Sequence, residues 1–366
     1  MFRRWHLVMG IWFLMIGLAA CSLPASTPAP ALTTTLLPTS NAATIPPAEL
    51  INGTLLPSTG VPNETLTLSA SEVPVATPEL GQEGNPILLA LPPAQILSSD
   101  VIANGQALAT MLQEQTGYRV VAVAPSSATD MIEALRAGNA HIAGLSPYEI
   151  AKAYEQGAVV AAYASTKDKS ASYGAQFLAR SDQFTSFFDP NAGRNFKDPP
   201  EALMQFSGKK PCWTTNDSLS GYRVPAGILG WYKIPVQEGA FLQSHYSVVR
   251  AIELGGVCDF GATYIDARAF PALKDQFPHL MDEVVVTWQI PAVIPYNGIF
   301  YSTTLPADMV TKLNAAFQQI SVDSQGQTLL KSLYDVSDVI PVQDDFYTQF
   351  VRYINSSGAD WETLVH

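Results

Sequence analysis

The chain has 366 residues, 47% of them hydrophobic and only 14% charged, so most of it must fold around sizeable cores, as one large or two medium domains. Its formal net charge is -12, and loss of the first 20 residues, with Arg3 and Arg4, would leave -14. An acidic surface repels phosphate backbones and anionic headgroups, which argues against nucleic acid or a peripheral membrane surface as partners. The three cysteines, Cys21, Cys212 and Cys258, form no CxxC, and the five histidines stand singly with no HExxH. Neither a metal site nor a cofactor is expected.

Arg3 and Arg4 precede an apolar run from Trp5 to Ala20 that ends in Leu18-Ala19-Ala20-Cys21. A basic start and a short apolar stretch predict an export signal over 1–20. The alternative is a transmembrane anchor, for which the run is short; either way the folded part lies outside the membrane. Residues 22–85 hold ten prolines and eleven threonines but no Lys, Arg, Phe, Trp or Tyr. Such a segment cannot bury enough apolar surface to offset its ordering entropy and reads as a disordered tether.

From Pro86 the pattern changes. Strands are expected at 87–91, 120–124, 141–145 and 159–163, alternating with helices at 99–116, 127–137 and 148–156. Gly117, Gly138 and Gly157 close the helices. After Gly208 the rhythm restarts, with strands at 211–215, 240–243 and 257–261 and helices at 220–230 and 245–254. Residues 173–180 and 284–302 read as extended connections, and helices at 306–319, 325–334 and 344–354 should return to the first unit. The pattern predicts an α/β chain of two lobes, 86–172 with 285–366 and 173–284, each a mixed or parallel sheet wrapped by helices. A ligand would lie in the crevice at the strand carboxyl ends.

Several segments, in order, carry a resemblance. They are Thr116-Gly117, Ile132-Glu133-Ala134-Leu135-Arg136-Ala137-Gly138, Leu145-Ser146-Pro147, Tyr173, Gly208-Lys209-Lys210, Asp217-Ser218-Leu219-Ser220-Gly221-Tyr222, Ser244-His245, Val257-Cys258-Asp259 and Ile294-Pro295. Residues 86–345 thereby resemble the phosphate/phosphite/phosphonate-binding proteins of ABC transporters, which have the two-lobed type II periplasmic-binding-protein fold. The ending Leu-Ala-Ala-Cys likewise resembles the lipobox of bacterial lipoproteins, which implies that Cys21 is lipidated and anchors the protein. The resemblance further implies a small-molecule ligand, a membrane permease as partner, a monomer, and no catalytic residues.

The segment 217–222 is the expected chemical centre. A helix start offers unpaired N–H groups and partial positive charge to an oxyanion, with hydroxyls from Ser218 and Ser220 and close approach at Gly221. A serine N-cap without ligand is the competing reading. His245 would donate from the same rim, or else cap its helix facing solvent. Tyr173 is placed by the resemblance as a donor to the ligand, or as interlobe packing.

The chain departs from the family where Leu219 replaces a threonine, Ala175 a serine and Ile150 a tyrosine for which Tyr148, beside Ser146, could substitute. Asn297 stands where a carboxylate is common, and Asp266 falls near another such position or caps a helix. Cys212 and Cys258 would begin neighbouring strands and pair as a disulfide in an oxidising compartment, or remain buried thiols. Two other functions compete: a ligand-sensing partner of a membrane receptor, and an exported hydrolase using Ser220, His245 and Asp259 or Asp266, although no G-x-S-x-G is present.

Overall fold

Hydroxyl and glycine punctuation sets the helix ends. The computed structural model describes residues 78–93 and 98–365. In its first half lie β1 (Ile87–Ala90), α1 (Ser99–Thr116), β2 (Val120–Val123), α2 (Ala128–Ala137), β3 (Ile142–Leu145), α3 (Pro147–Glu155) and β4 (Val159–Ser165). Ser98 and Ser127 accept N–H groups in the first turns of α1 and α2, and Gly117 and Gly138 end those helices at φ 73° and 76°. Left-handed backbone at that position satisfies the last carbonyls and costs a glycine least.

The chain then crosses through Lys167–Ser170, where Asp168 and Lys169 both have positive φ, the geometry of a tight reversal. It continues as β5 (Ser172–Arg180), a small hairpin of β6 (Phe188–Asp189) and β7 (Arg194–Asn195), α4 (Pro199–Leu203), β8 (Pro211–Trp213), α5 (Val224–Trp231), β9 (Ala240–Phe241), α6 (His245–Leu254), β10 (Phe260–Tyr264), α7 (Pro271–Gln276) and α8 (Leu280–Glu283). β11 (Val284–Pro295) and β12 (Gly298–Ser302) bring it back, followed by α9 (Ala307–Val322), α10 (Ser324–Tyr334), β13 (Val339–Pro341), α11 (Asp345–Ser356) and α12 (Trp361–Leu364).

Two mixed sheets result. The first has strand order β13-β4-β12-β3-β1-β2 and the second β11-β5-β10-β8-β9. The first-lobe core gathers Leu89, Leu108, Ile142, Tyr301 and Phe317. The second gathers Phe177, Phe206, Trp213 and Phe260, with Phe206 and Phe260 stacked at 4.0 Å. Each such side chain, fully buried, contributes about 1.5–3 kcal/mol.

The helix α11 belongs to both lobes. Its Tyr347 sits in a first-lobe cluster with Phe300, whereas Phe350, Tyr353 and Ile354 sit in the second-lobe cluster. Close approach to α5 is permitted by two glycines: a Cβ on Gly227 would collide with the Tyr353 carbonyl oxygen, and one on Gly230 with that of Ser356.

Four expectations change. The signal segment, Cys21 and positions 22–77 of the tether lie outside the described residues, but residues 78–85 fold on the domain. Leu80 packs on the first core, and the Arg119 N–H donates to the Gly81 carbonyl at 2.7 Å. The strand expected at 257–261 begins only at Phe260, because Gly255 and Gly256 hold positive φ ahead of it. The return strand β11 pairs with β5 from Val284 to Pro295, with a bulge between Ile290 and Ile294, so it belongs to the second sheet. The helix expected from 220 opens with a widened π-type turn, Leu219–Arg223, before α5.

Cys212 and Cys258 are joined by a disulfide, Cα atoms 5.6 Å apart. It ties β8 to the lead-in of β10, its parallel neighbour. Among the described residues no helix is long and apolar enough to cross a membrane.

Candidate functional site between the lobes

The loop after β8 is built by short side chains bonding their own backbone. Ser218 is the N-cap of the turn 219–223, its Oγ accepting the Gly221 N–H at 3.0 Å. A Cβ at Gly221 would strike the Thr214 side chain, so the glycine is required by packing as well as by any ligand. Beneath the turn the Thr214 hydroxyl is buried and unpartnered among the described residues. Ser220 is 6% exposed, and its hydroxyl enters no hydrogen bond among those residues. Leu219 packs, half-buried, on the second-lobe core.

Arg223, 5% exposed, donates through Nε to the Asn216 carbonyl at 2.6 Å and, more weakly, through Nη1 to that of Gly358 at 3.4 Å. Among the described residues it has no carboxylate partner, and its guanidinium lies 4.8 Å from the centre of the Tyr222 ring.

From the first lobe, Ser146 is committed to a capping box at the start of α3, its N–H donating to the Glu149 carboxylate at 2.6 Å. Burial raises the pKa of Glu149. Two residues on from that cap, the Tyr148 hydroxyl donates across to the Asp217 carbonyl at 2.6 Å. Tyr148 therefore reaches the serine loop from the opposite lobe. Ile150 itself is fully buried in the first-lobe core, and Ala175 in the second.

Beside Tyr148 lies a cavity of about 430 Å³. Pro147 closes one side, Lys167 stands at the crossing, and Tyr173 with Gly174 comes from β5. Tyr264 and Ile265 follow β10, and Pro295, Tyr296 and Asn297 form the return crossing. Tyr173 stacks on Tyr296 at 5.3 Å, and burial pushes its phenol up to about 12. Asn297 donates its amide to the Tyr334 carbonyl at 2.9 Å, and its own carbonyl accepts the Ser165 N–H. A wider groove of about 1340 Å³, along β4, β13 and α9, holds none of the expected site residues.

His245 opens α6 and stands behind Tyr264. Its Nδ1 accepts the Tyr264 N–H at 3.3 Å, and the rings meet edge to face at 4.6 Å. Burial lowers its pKa, so the neutral ring carries its proton on Nε2 as a donor.

Asp266 is set apart. It is exposed with φ 64°, its carboxylate makes no capping bond, and it does not line the cavity. It stands at the N-cap position of a short 3₁₀ turn, Ala267–Ala269, which its backbone carbonyl rather than its carboxylate supports by accepting the Ala269 N–H at 2.8 Å. The hydrolase constellation is also absent: Asp259 accepts the Lys210 N–H at 2.7 Å, and His245 is engaged by Tyr264.

Expected residues thus fall into two adjoining groups, the loop Ser218–Gly221 with Tyr148, and the cavity with Tyr173 and Asn297. Residues not expected are Thr214, Arg223, Lys167, Tyr264 and Tyr296. Arg223 carried a usable signal, being a cation close behind the serine loop in a chain with few. Tyr296 carried one as well, lying between two residues already singled out. Nothing in the sequence marked Thr214.

A family model described as ABC transporter, phosphonate, periplasmic substrate-binding protein matches residues 93–347. The phosphate-import protein PhnD of Mycolicibacterium smegmatis is 31% identical over 265 residues, covering 69% of this chain and 76% of that protein. Among solved structures, XAC2383 from Xanthomonas citri bound to chloride ion superposes with a TM-score of 0.46 at 15% identity, covering 74% of this chain and 96% of its own. PhnD1 from Prochlorococcus marinus in complex with methylphosphonate gives 0.37 at 12% identity, covering 74% and 98%. Family match and sequence relative agree: the chain belongs to the periplasmic substrate-binding proteins of phosphonate and phosphate ABC importers, extracytoplasmic proteins rather than enzymes, which work with a small-molecule ligand and a membrane permease.

Proposed function

We propose that the protein is a monomer, anchored through a lipidated Cys21, that captures a tetrahedral phosphorus oxyanion between its lobes and presents it to the permease. The head of the ligand would meet the Ser218 and Ser220 hydroxyls, the backbone around Gly221 and the Nε2–H of His245, with Tyr148 and Tyr173 approaching from across the cleft. The observation that carries this reading is the serine loop itself. A buried hydroxyl without a partner is costly; Thr214 leaves one such group beneath the turn, and the Ser220 hydroxyl above it, on a residue 6% exposed, is uncommitted among the described residues. An anion held at the N–H groups of that turn would complete the site. Ligand contact with both lobes then favours the closed form by differential affinity.

Calorimetric titration with phosphate, phosphite and methylphosphonate tests the reading. At least one should bind, and Ser220→Ala should weaken it by about 1–2 kcal/mol, roughly five- to thirtyfold. Failure of all three to bind would reject an oxyanion ligand. For the anchor, mass spectrometry of the exported protein should find a diacylglyceryl group on Cys21. An unmodified mature N-terminus elsewhere would reject it.

A further inference from the structure

The cavity beside Tyr148 is larger than an oxyanion needs. A tetrahedral head occupies the space of a few waters, at about 30 Å³ each, whereas the cavity measures about 430 Å³, within the roughly 300–1,000 Å³ typical of sites that enclose drug-sized ligands. Its walls are mostly apolar and aromatic. Tyr173 and Tyr296 stack on one another, Tyr264 and Ile265 stand at the end of β10, and Pro147 at the start of α3 and Pro295 at the end of β11 also line it.

Charge in the lining selects further. Lys167 is the charged residue there, and no carboxylate lines the cavity. Asp168 lies outside the lining, although its charge is felt at Tyr296. Asn297, at the position where a carboxylate would hold an ammonium, is a neutral amide whose Nδ2 donates to the Tyr334 carbonyl. An ammonium on the ligand would meet a cation and no carboxylate in the lining, Asp168 and Asp266 acting on Tyr296 and Tyr264 only from outside it. A planar apolar ring would instead extend the tyrosine stack. The tyrosine pair lies face to face rather than as the separate walls of a cage, which disfavours a quaternary ammonium.

Resting on the oxyanion reading above, we infer that the ligand is a phosphonate or phosphate monoester whose substituent is an uncharged ring, seated against Tyr173, Tyr296 and Tyr264. Leu219 and Ala175, apolar where the family resemblance implies polar side chains, lie against or within the same second-lobe cluster on which Tyr173 packs. Their exchange fits a site that has traded contacts to the head for contacts to the substituent.

Titration of the protein with inorganic phosphate, methylphosphonate, phenylphosphonate, 2-aminoethylphosphonate and phosphocholine tests this. Phenylphosphonate should bind at least about tenfold tighter than methylphosphonate, the increment expected from burying a ring's apolar surface. The two cationic probes should bind most weakly. In Tyr296→Ala the ratio of phenylphosphonate to methylphosphonate affinity should collapse to within about twofold. If that variant does not fold, the ratio in the unaltered protein decides alone. Phosphate or methylphosphonate binding with no gain for the ring overturns the inference and leaves the oxyanion reading standing. Preference for 2-aminoethylphosphonate or phosphocholine overturns it in favour of a cationic substituent. No binding by any probe removes both.

Discussion

Single residues were legible where they obey local backbone rules. Ser218 and Ser244 stand at helix starts because their hydroxyls accept N–H groups of the first turn, placing Gly221 and His245 beside them, and such signals are written in adjacent letters. Asp266 was harder to place for the converse reason: its position depends on how β10 ends, and a strand beginning three residues late carries its whole exit with it. The histidines add a testable electrostatic consequence. His141 is 5% exposed, its Nδ1 accepts the Leu88 N–H at 2.9 Å, and burial lowers its pKa; His245 is held similarly by Tyr264. A folded-state pKa below the unfolded value of about 6.5 means that the unfolded chain binds more protons in that window, so stability rises with pH across it. The contribution is complete above about pH 6.5 and declines as pH falls towards the folded values. Melting temperature should therefore drop between pH 7 and 5, and His141→Asn should flatten the drop. A flat profile in the unaltered protein would contradict the assignment.

Elements were legible where periodicity and glycine stops coincide, as in α1, α2 and α6. They were not legible where tertiary contact decides: the three-residue edge strand β13, the short hairpin β6–β7, and the widened turn before α5. Pairing in trans leaves no period in so few residues. The α5–α11 contact is likewise invisible in sequence, since nothing in Gly227-Ile228-Leu229-Gly230 names its partner. It predicts that Gly227→Ala, normally favourable in a helix by about 1 kcal/mol, is here destabilising by roughly 1–3 kcal/mol or more, because the added methyl meets the Tyr353 carbonyl. Thermal unfolding of the variant should shift down by several degrees. An unchanged or raised midpoint would show that α11 moves aside at little cost.

At the scale of the whole molecule, two lobes joined by extended crossings follow from the restart of the strand–helix rhythm after Gly208. The lower boundary of the domain did not, because residues 78–85 lack the aromatic and β-branched content that marks a strand. They are held instead by Leu80 and by backbone bonds to the start of β2. A chain beginning at Pro86 should be less stable than one beginning at Pro78 by about 2–4 kcal/mol, from lost packing and backbone hydrogen bonds. Equal melting of the two would return the boundary to residue 85.

The seating of α11 in both cores has a thermodynamic consequence. Two lobes with separate sheets would ordinarily melt as two calorimetric events. Here Tyr347 and Tyr353, less than two turns apart on one helix, are integral to different cores, so neither lobe can lose its packing without stripping that helix from the other. Heat capacity should trace one peak, with calorimetric and van't Hoff enthalpies equal. Replacing Phe350 and Ile354 by alanine should uncouple the lobes and split the peak in two. The helix would thus make a hinged, two-part molecule denature as a single cooperative body.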